Sequence, residues 1–192
     1  MTRTPRASAG DELRPIAAAR FARDGFQATS LQQIADEAGY SKSSVLYHFA
    51  SKEALLEALL EPTIDALAEV IDRADSIRGD ADARRAFVER FIDFLLLHRH
   101  EVSLFITQGR SLGHLAVIQR ANDLVRRLGE TAGALDSALD QLRYGVALGG
   151  AAYVLAASDD WSTNEPLPDD EVRAALVVVV GELLAPLASR SA

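Results

Sequence analysis

The sequence predicts an all-α protein with an N-terminal three-helix helix-turn-helix domain and a larger C-terminal helical domain. Three observations carry this. Apolar residues recur three and four positions apart along almost the whole 192-residue chain, which is the period of a buried helix face. Ser and Thr stand where helices would begin, and Gly where they would end. No stretch of any length alternates apolar and polar residues as a half-buried strand does.

The elements follow in order. Residues 1–10, with Arg3 and Arg6, read as a tail, 11–56 as the helix-turn-helix domain and 57–192 as the second domain. A first helix runs to about Asp24, with Pro15 best tolerated near its first turn and Gly25 as its stop. Thr29 or Ser30 caps the next helix, and each has a glutamine three residues on (Gln32, Gln33), as a capping box requires. Leu31, Ile34, Ala35 and Ala38 form one buried stripe, and Gly39 ends the helix. Ser41 caps a short helix to about Phe49. Ser51 caps a longer one carrying Leu55, Leu56, Leu59, Leu60, Ile64, Leu67 and Ile71, with a kink expected at Pro62. After a linker at 76–80, helices are expected over 81–99, 102–109, 111–128, 132–157 and 169–189, with 158–170 a loop. The run VVVV at 177–180 is β-branched, but a helical frame surrounds it, so it reads as a buried helix face.

Charge separates the two regions. The chain has net charge −8, yet residues 1–60 hold seven Lys/Arg and seven Asp/Glu. The acidity therefore lies wholly in residues 61–192, and the asymmetry suggests two jobs. Cysteine is absent, which excludes disulfides, thiolate metal sites and cysteine catalysis. The opening MTRTPRASAG leads into no apolar run, so no signal peptide is expected, and the longest apolar-rich stretch, VALGGAAYVLAA at 146–157, is short for a membrane span of roughly 20 residues. A cytoplasmic protein without membrane contact is expected.

The stretch at 34–56, IADEAGYSKSSVLYHFASKEALL, carries the motif. Two helices that cross through a tight turn need a small residue at the crossing, which Ala35 supplies. The turn needs a left-handed residue, which is Gly39. The second helix must pin its back to the first, which Val45 does. An ordinary αα-hairpin shares this spacing. What favours a DNA reader is the outer face of the second helix: Ser41, Lys42, Ser43, Ser44, Tyr47 and His48 all hydrogen-bond and none is acidic. Tyr40 adjoins them. Thr29 and Lys52 stand at the starts of neighbouring helices, where backbone N–H groups favour phosphate.

On these residues the segment 21–56 resembles the DNA-binding domain of the tetracycline-repressor (TetR) family, through Phe21, Gly25, Phe26, Thr29, Ile34, Ala35, Gly39, Ser41, His48, Phe49, Lys52 and Leu55. One position departs. Where the family places a phosphate-contacting tyrosine this chain has Leu46, so either Tyr47 takes over that contact or the contact is missing. The resemblance implies a homodimer, joined through helices 132–157 and 169–189, on palindromic double-stranded operator DNA. It also implies a small-molecule effector bound in the C-terminal domain. The expected function is a ligand-responsive repressor, and the alternative is an all-α interaction protein whose helix-turn-helix no longer reads DNA.

The effector is expected to be largely apolar, in a pocket drawn from Phe87, Phe91, Phe94, His98, Phe105, Gln108, His114 and Tyr144, with Tyr153 and Trp161 as further aromatic candidates, although an aromatic stripe such as 87, 91, 94 also fits plain core. His98 and His100 are two apart on a helix and face different ways, so no metal is expected, and no cofactor. No nucleophile elbow, phosphate loop or dinucleotide fingerprint is present, so an enzyme is the least favoured reading.

Overall fold

A computed structural model describes residues 9–74, 80–133, 135, 137–157 and 167–188. The N-terminal tail with Arg3 and Arg6, nearly all of the 76–80 linker, Trp161 and most of the 158–170 loop lie outside the described residues. Within them the secondary structure is helical: α1 Ala9–Asp24, α2 Leu31–Ala38, α3 Lys42–His48, α4 Lys52–Ile71, α5 Ala81–Leu97, α6 Arg99–Gln108, α7 Ala116–Gly133, α8 Ala138–Ala156 and α9 Asp169–Leu184, closed by a 3₁₀ turn at Ala185–Ala188.

The punctuation of the first domain forms as expected. Of the two candidates, Ser30 is the cap: its hydroxyl accepts from Gln33 N–H while the Gln33 side chain accepts from Ser30 N–H. Gly39 closes α2 at φ 73°, a conformation that costs a β-carbon-bearing residue strain. Ser41 and Ser51 cap α3 and α4 through the N–H groups of Ser44 and Ala54. α1 begins earlier than expected, so Pro15 lies well inside it, and α4 continues through Pro62 as one element.

Other expected starts move as well: α5 ends at Leu97 and α6 begins at Arg99, not 102. α7 begins at 116, not 111, because residues 109–115 turn tightly through Gly109 and Gly113. The helix expected to begin at 132 begins at Ala138, capped by the Ser137 hydroxyl, which accepts from Asp140 N–H. The VVVV run is helical but not a uniformly buried face: Val180 is buried, whereas Val178 and Val179 are 57% and 50% exposed.

Two apolar clusters build the interior. The first joins α1, α2, α3 and the length of α4 to α6 and α7, through Leu13, Phe21, Ile34, Val45, Leu55, Leu56, Ile64, Leu104, Leu112 and Ile118. The second joins α5, α8 and α9 around Phe87, Ile92, Leu148 and Leu184. Leu67 and Leu128 pack against both. No apolar gap separates residues 11–56 from the rest, and α4 crosses that boundary unbroken. Exposed ion pairs set the register of the outer helices: Arg120 with Asp65 and Arg127 with Asp72 align α7 on α4, and Arg173 forks onto Asp93 at 2.5 and 2.9 Å between α9 and α5. Such pairs contribute little energy but restrict sliding.

Candidate nucleic-acid interface and internal cavity

α3 is pinned from behind. Val45 is fully buried against Ala35 and Ile34, and Phe49 buries beyond its end. The opposite face is open. Lys42, Ser43, Tyr47 and His48 are exposed, Tyr47 by 87%, and its ring meets that of His48 edge-on at 5.3 Å. Tyr40, Ser43, Ser44, Tyr47 and His48 surround one shallow depression. Leu46 is 43% exposed, so the aromatic hydroxyl of this face is supplied by Tyr47.

Not every expected hydroxyl is at liberty. The Ser41 hydroxyl accepts the Ser44 N–H and shares hydrogen bonds with the Ser43 and Ser44 hydroxyls at 2.9 and 2.8 Å. The Tyr40 hydroxyl donates to Glu12 at 2.6 Å. The nearby acids of α2 are also engaged: Glu37 by Arg20, and Asp36 by the Gln32 amide at 2.7 Å. Arg20 offsets the charge of Glu37, whereas the neutral Gln32 amide leaves the charge of Asp36 in place.

Two expected contact residues are turned inward. Thr29 is buried, and its hydroxyl donates to the Gly25 carbonyl at 2.8 Å, closing the turn after α1. The Lys52 ammonium donates to the carbonyls of Phe26 at 2.6 Å and Thr29 at 2.8 Å, and lies 4.3 Å from the Phe26 ring centre. Burial lowers its pKa, partly offset by Glu53. The start of α4 already holds an anion of its own, because the Glu53 carboxyl is pushed down by a backbone N–H and by Ser51. Thr29 and Lys52 therefore build the scaffold beneath the outer face of α3. The helix start beside them does not offer the vacant phosphate seat that their positions suggest.

Between α4, α5, α6, α7 and α8 lies a cavity of about 320 Å³. Of the residues expected to line it, Phe91, Phe94, Phe105 and Tyr153 do. The other described ones stand elsewhere. Phe87 stacks behind Phe91 at 6.1 Å, and Tyr144 is buried in the second cluster. His114 is exposed in the 109–115 turns. His98 stands one layer back, its Nδ1 3.0 Å from the hydroxyl of Thr63, which does line the cavity. Burial lowers the His98 pKa against a smaller opposing pull from Glu101.

Gln108 does something its sequence position does not announce. At the last turn of α6 its amide donates to Phe21 O at 2.8 Å, and its oxygen accepts from Phe26 N–H at 2.6 Å. It clamps the end of α1 while Val102, Phe105 and Ile106 of the same helix line the cavity. The cavity and the helix-turn-helix are thus joined twice, through α6 and through α4. Among the described residues no cluster of three or more His, Asp or Glu could hold a metal ion, and no helix is long and apolar enough to cross a membrane.

Residues 16–59 match the sequence model of the family described as bacterial regulatory proteins, tetR family. The transcriptional repressor KstR2 of Mycobacterium tuberculosis (strain H37Rv) is 32% identical over 102 residues, 53% of this chain and 51% of its own. The transcriptional activator FasR of Mycolicibacterium smegmatis is 36% identical over 96 residues, 48% and 43% of the two chains. The chain thus spans about half the length of the curated relatives it matches. Among solved structures, KstR2 of Mycobacterium tuberculosis superposes with a TM-score of 0.70 at 21% identity, covering 92% of this chain and 95% of that one. A regulator from Bordetella parapertussis gives 0.67 at 21%, covering 91% and 95%. At these identities the structural likeness is one of fold.

Proposed function

From its membership of the tetR family of bacterial regulatory proteins, carried by residues 16–59, we propose that this chain is a transcriptional regulator that represses by occupying a palindromic operator as a homodimer and lets go when a small molecule fills the α4–α8 cavity. The observation that carries the reading is α3 itself: a short helix locked from behind by Val45, with an acid-free outer face of Lys42, Ser43, Tyr47 and His48. Such a face suits phosphates and base edges in a major groove.

One short helix offers few contacts, and a second copy about one DNA turn (~34 Å) away doubles them. The surface for that copy is on α8 and α9. Leu139, Leu142 and Val146 along α8 are more than half exposed, and so are Val178 and, by half, Val179 on α9, a helix that packs on α8. Gly145, Gly149 and Gly150 have open space where a β-carbon would be, so another backbone can approach closely.

Release would run through the two helices that touch both sites. A molecule in the cavity presses on Thr63 and Ile64 of α4 and on Phe105 of α6. α4 leads to the Lys52 anchor and α6 to the Gln108 clamp. A coupling of about 1–3 kcal/mol between the sites is ordinary for such linkage. Selection of bound sequences from random duplex DNA tests the proposal. The expected product is a two-fold symmetric site, bound less tightly as salt rises because phosphate contacts release counterions. Selection without a consensus, or binding indifferent to salt, removes the reading.

A further inference from the structure

The cavity walls restrict what can enter. Apart from Thr63, Glu101 and the half-exposed Tyr153 phenol they are aliphatic and phenyl side chains, and neither lysine nor arginine is among the lining residues. The one charged lining residue is Glu101, half-buried, whose carboxylate has no hydrogen bond or ion pair among the described residues. A carboxylate ligand entering here would lose its hydration, find no cation and approach a like charge, and each of these costs free energy. A cation would lose hydration but gain Glu101.

One neutral hydrogen-bonding point is prepared. The Thr63 hydroxyl is buried to 8% exposure and lies 3.0 Å from His98 Nδ1. A hydroxyl has one donor and two acceptor positions, and the histidine takes one of them. The rest remain for a group in the cavity that Thr63 lines. Burial holds the His98 ring toward its neutral form, so the pair adds no charge. The volume of about 320 Å³ is at the small end of ligand cavities, which run from ~300 to ~1,000 Å³.

We propose that the cavity takes an uncharged, largely apolar molecule bearing one hydroxyl or carbonyl group that hydrogen-bonds Thr63, and that Glu101 is the specificity residue that turns carboxylates away. The regulatory meaning of this rests on the effector reading above, while the ligand class rests on the walls alone. Thr63 belongs to α4, so the group that orients the ligand is on a helix that also begins at the reading face.

The test uses the full chain and a matched series, 1-decanol, decylamine and decanoate, by calorimetry, with and without the selected duplex. Decanol is expected to bind at least about tenfold more tightly than decanoate, with decylamine between them. Thr63→Val should weaken decanol by roughly three- to tenfold, and Thr63→Ser, which keeps the hydroxyl, should restore it. Glu101→Gln should narrow the decanol-to-decanoate ratio by about threefold with decanol affinity unchanged, since the carboxylate's desolvation cost remains. Equal or tighter binding of decanoate or decylamine, no binding of decanol, or an unchanged ratio in Glu101→Gln overturns the proposal. Decanol bound in the expected order without effect on the duplex upholds the ligand class and overturns the effector reading. Duplex release by decanoate in preference to decanol does the reverse.

Discussion

Replacing Gln108 by methionine removes the two hydrogen bonds that tie α6 to the end of α1, while keeping a side chain of similar length. The wild-type amide satisfies Phe21 O and Phe26 N–H in a part-buried seam. Each such bond contributes about 1 kcal/mol net, and a buried group left without a partner costs about 1–3 kcal/mol. The expected loss is therefore about 2 kcal/mol or more, since two net bonds sum to about 2 kcal/mol and two buried groups left without partners would cost about 2–6 kcal/mol. With a urea slope of about 2–3 kcal/mol/M, the unfolding midpoint should fall by about 0.7–1 M or more with no change in slope. Hydrogen exchange gives the local reading, since the Phe26 amide should lose protection while the amides of α8 keep theirs. The DNA affinity of Gln108→Met should also respond less to any cavity ligand that loosens the wild-type complex. A midpoint within about 0.2 M of wild type together with an unchanged Phe26 amide would refute the clamp, because the estimate leaves no room for so small an effect.

Four further outcomes follow from the geometry. Lys42→Ala should weaken binding to the selected duplex and lower the salt slope by about one, as for one lost phosphate contact, measured by titration at several salt concentrations. Lys52→Met should instead lower the urea midpoint and leave the salt slope nearly unchanged, since its ammonium is spent on Phe26 and Thr29 carbonyls; a slope change matching that of Lys42→Ala would return Lys52 to the DNA surface. His98 has a folded pKa below its ordinary 6.5, so its stabilisation is complete above that pH and is lost as the pH falls through and below it. His98→Gln should flatten that part of the stability–pH curve, and an identical curve would contradict the burial argument. Val146→Glu on α8 should shift the sedimenting species from dimer to monomer and abolish binding to the full palindrome, and a dimer unaffected by a charge at this 59%-exposed position would move the interface elsewhere.

The first sixty residues were legible because their structure is written locally. Ser30 with Gln33, Gly39, Ser41 and Ser51 act on backbone groups within four residues, and Ala35 and Val45 meet across a single turn. What escaped was long-range or directional. Lys52 and Thr29 stand at helix starts, where sequence alone points to phosphate, but their partners are carbonyls more than twenty residues away or across a turn, and only the packed turn after α1 turns them inward. Gln108 was noticed as a polar group near an apolar pocket, whereas its partners lie over eighty residues back in the chain. The pocket list mixed true walls with residues one layer behind because period alone cannot separate a side chain facing a void from one facing a neighbour. Phe91 and Phe87 differ only in that. Thr63 and Glu101 carry no sequence signal of their own. Ser137, by contrast, is an N-cap that capping chemistry could have found, and overlooking it displaced the start of α8.

The continuous α4, with its Lys52 anchor at one end and Thr63 further along, bears on engineering. Under the proposed function, chimeras with the regulators it resembles would graft one protein's operator specificity onto another's sensor. A splice at residues 56 and 57 would cut within the first cluster and pair a foreign α1 with the native Gln108. A transplant that preserves signalling should carry the counterparts of Phe21, Phe26 and Gln108 from the same parent, so the exchangeable cassette is a discontinuous set of residues and not a contiguous terminal stretch.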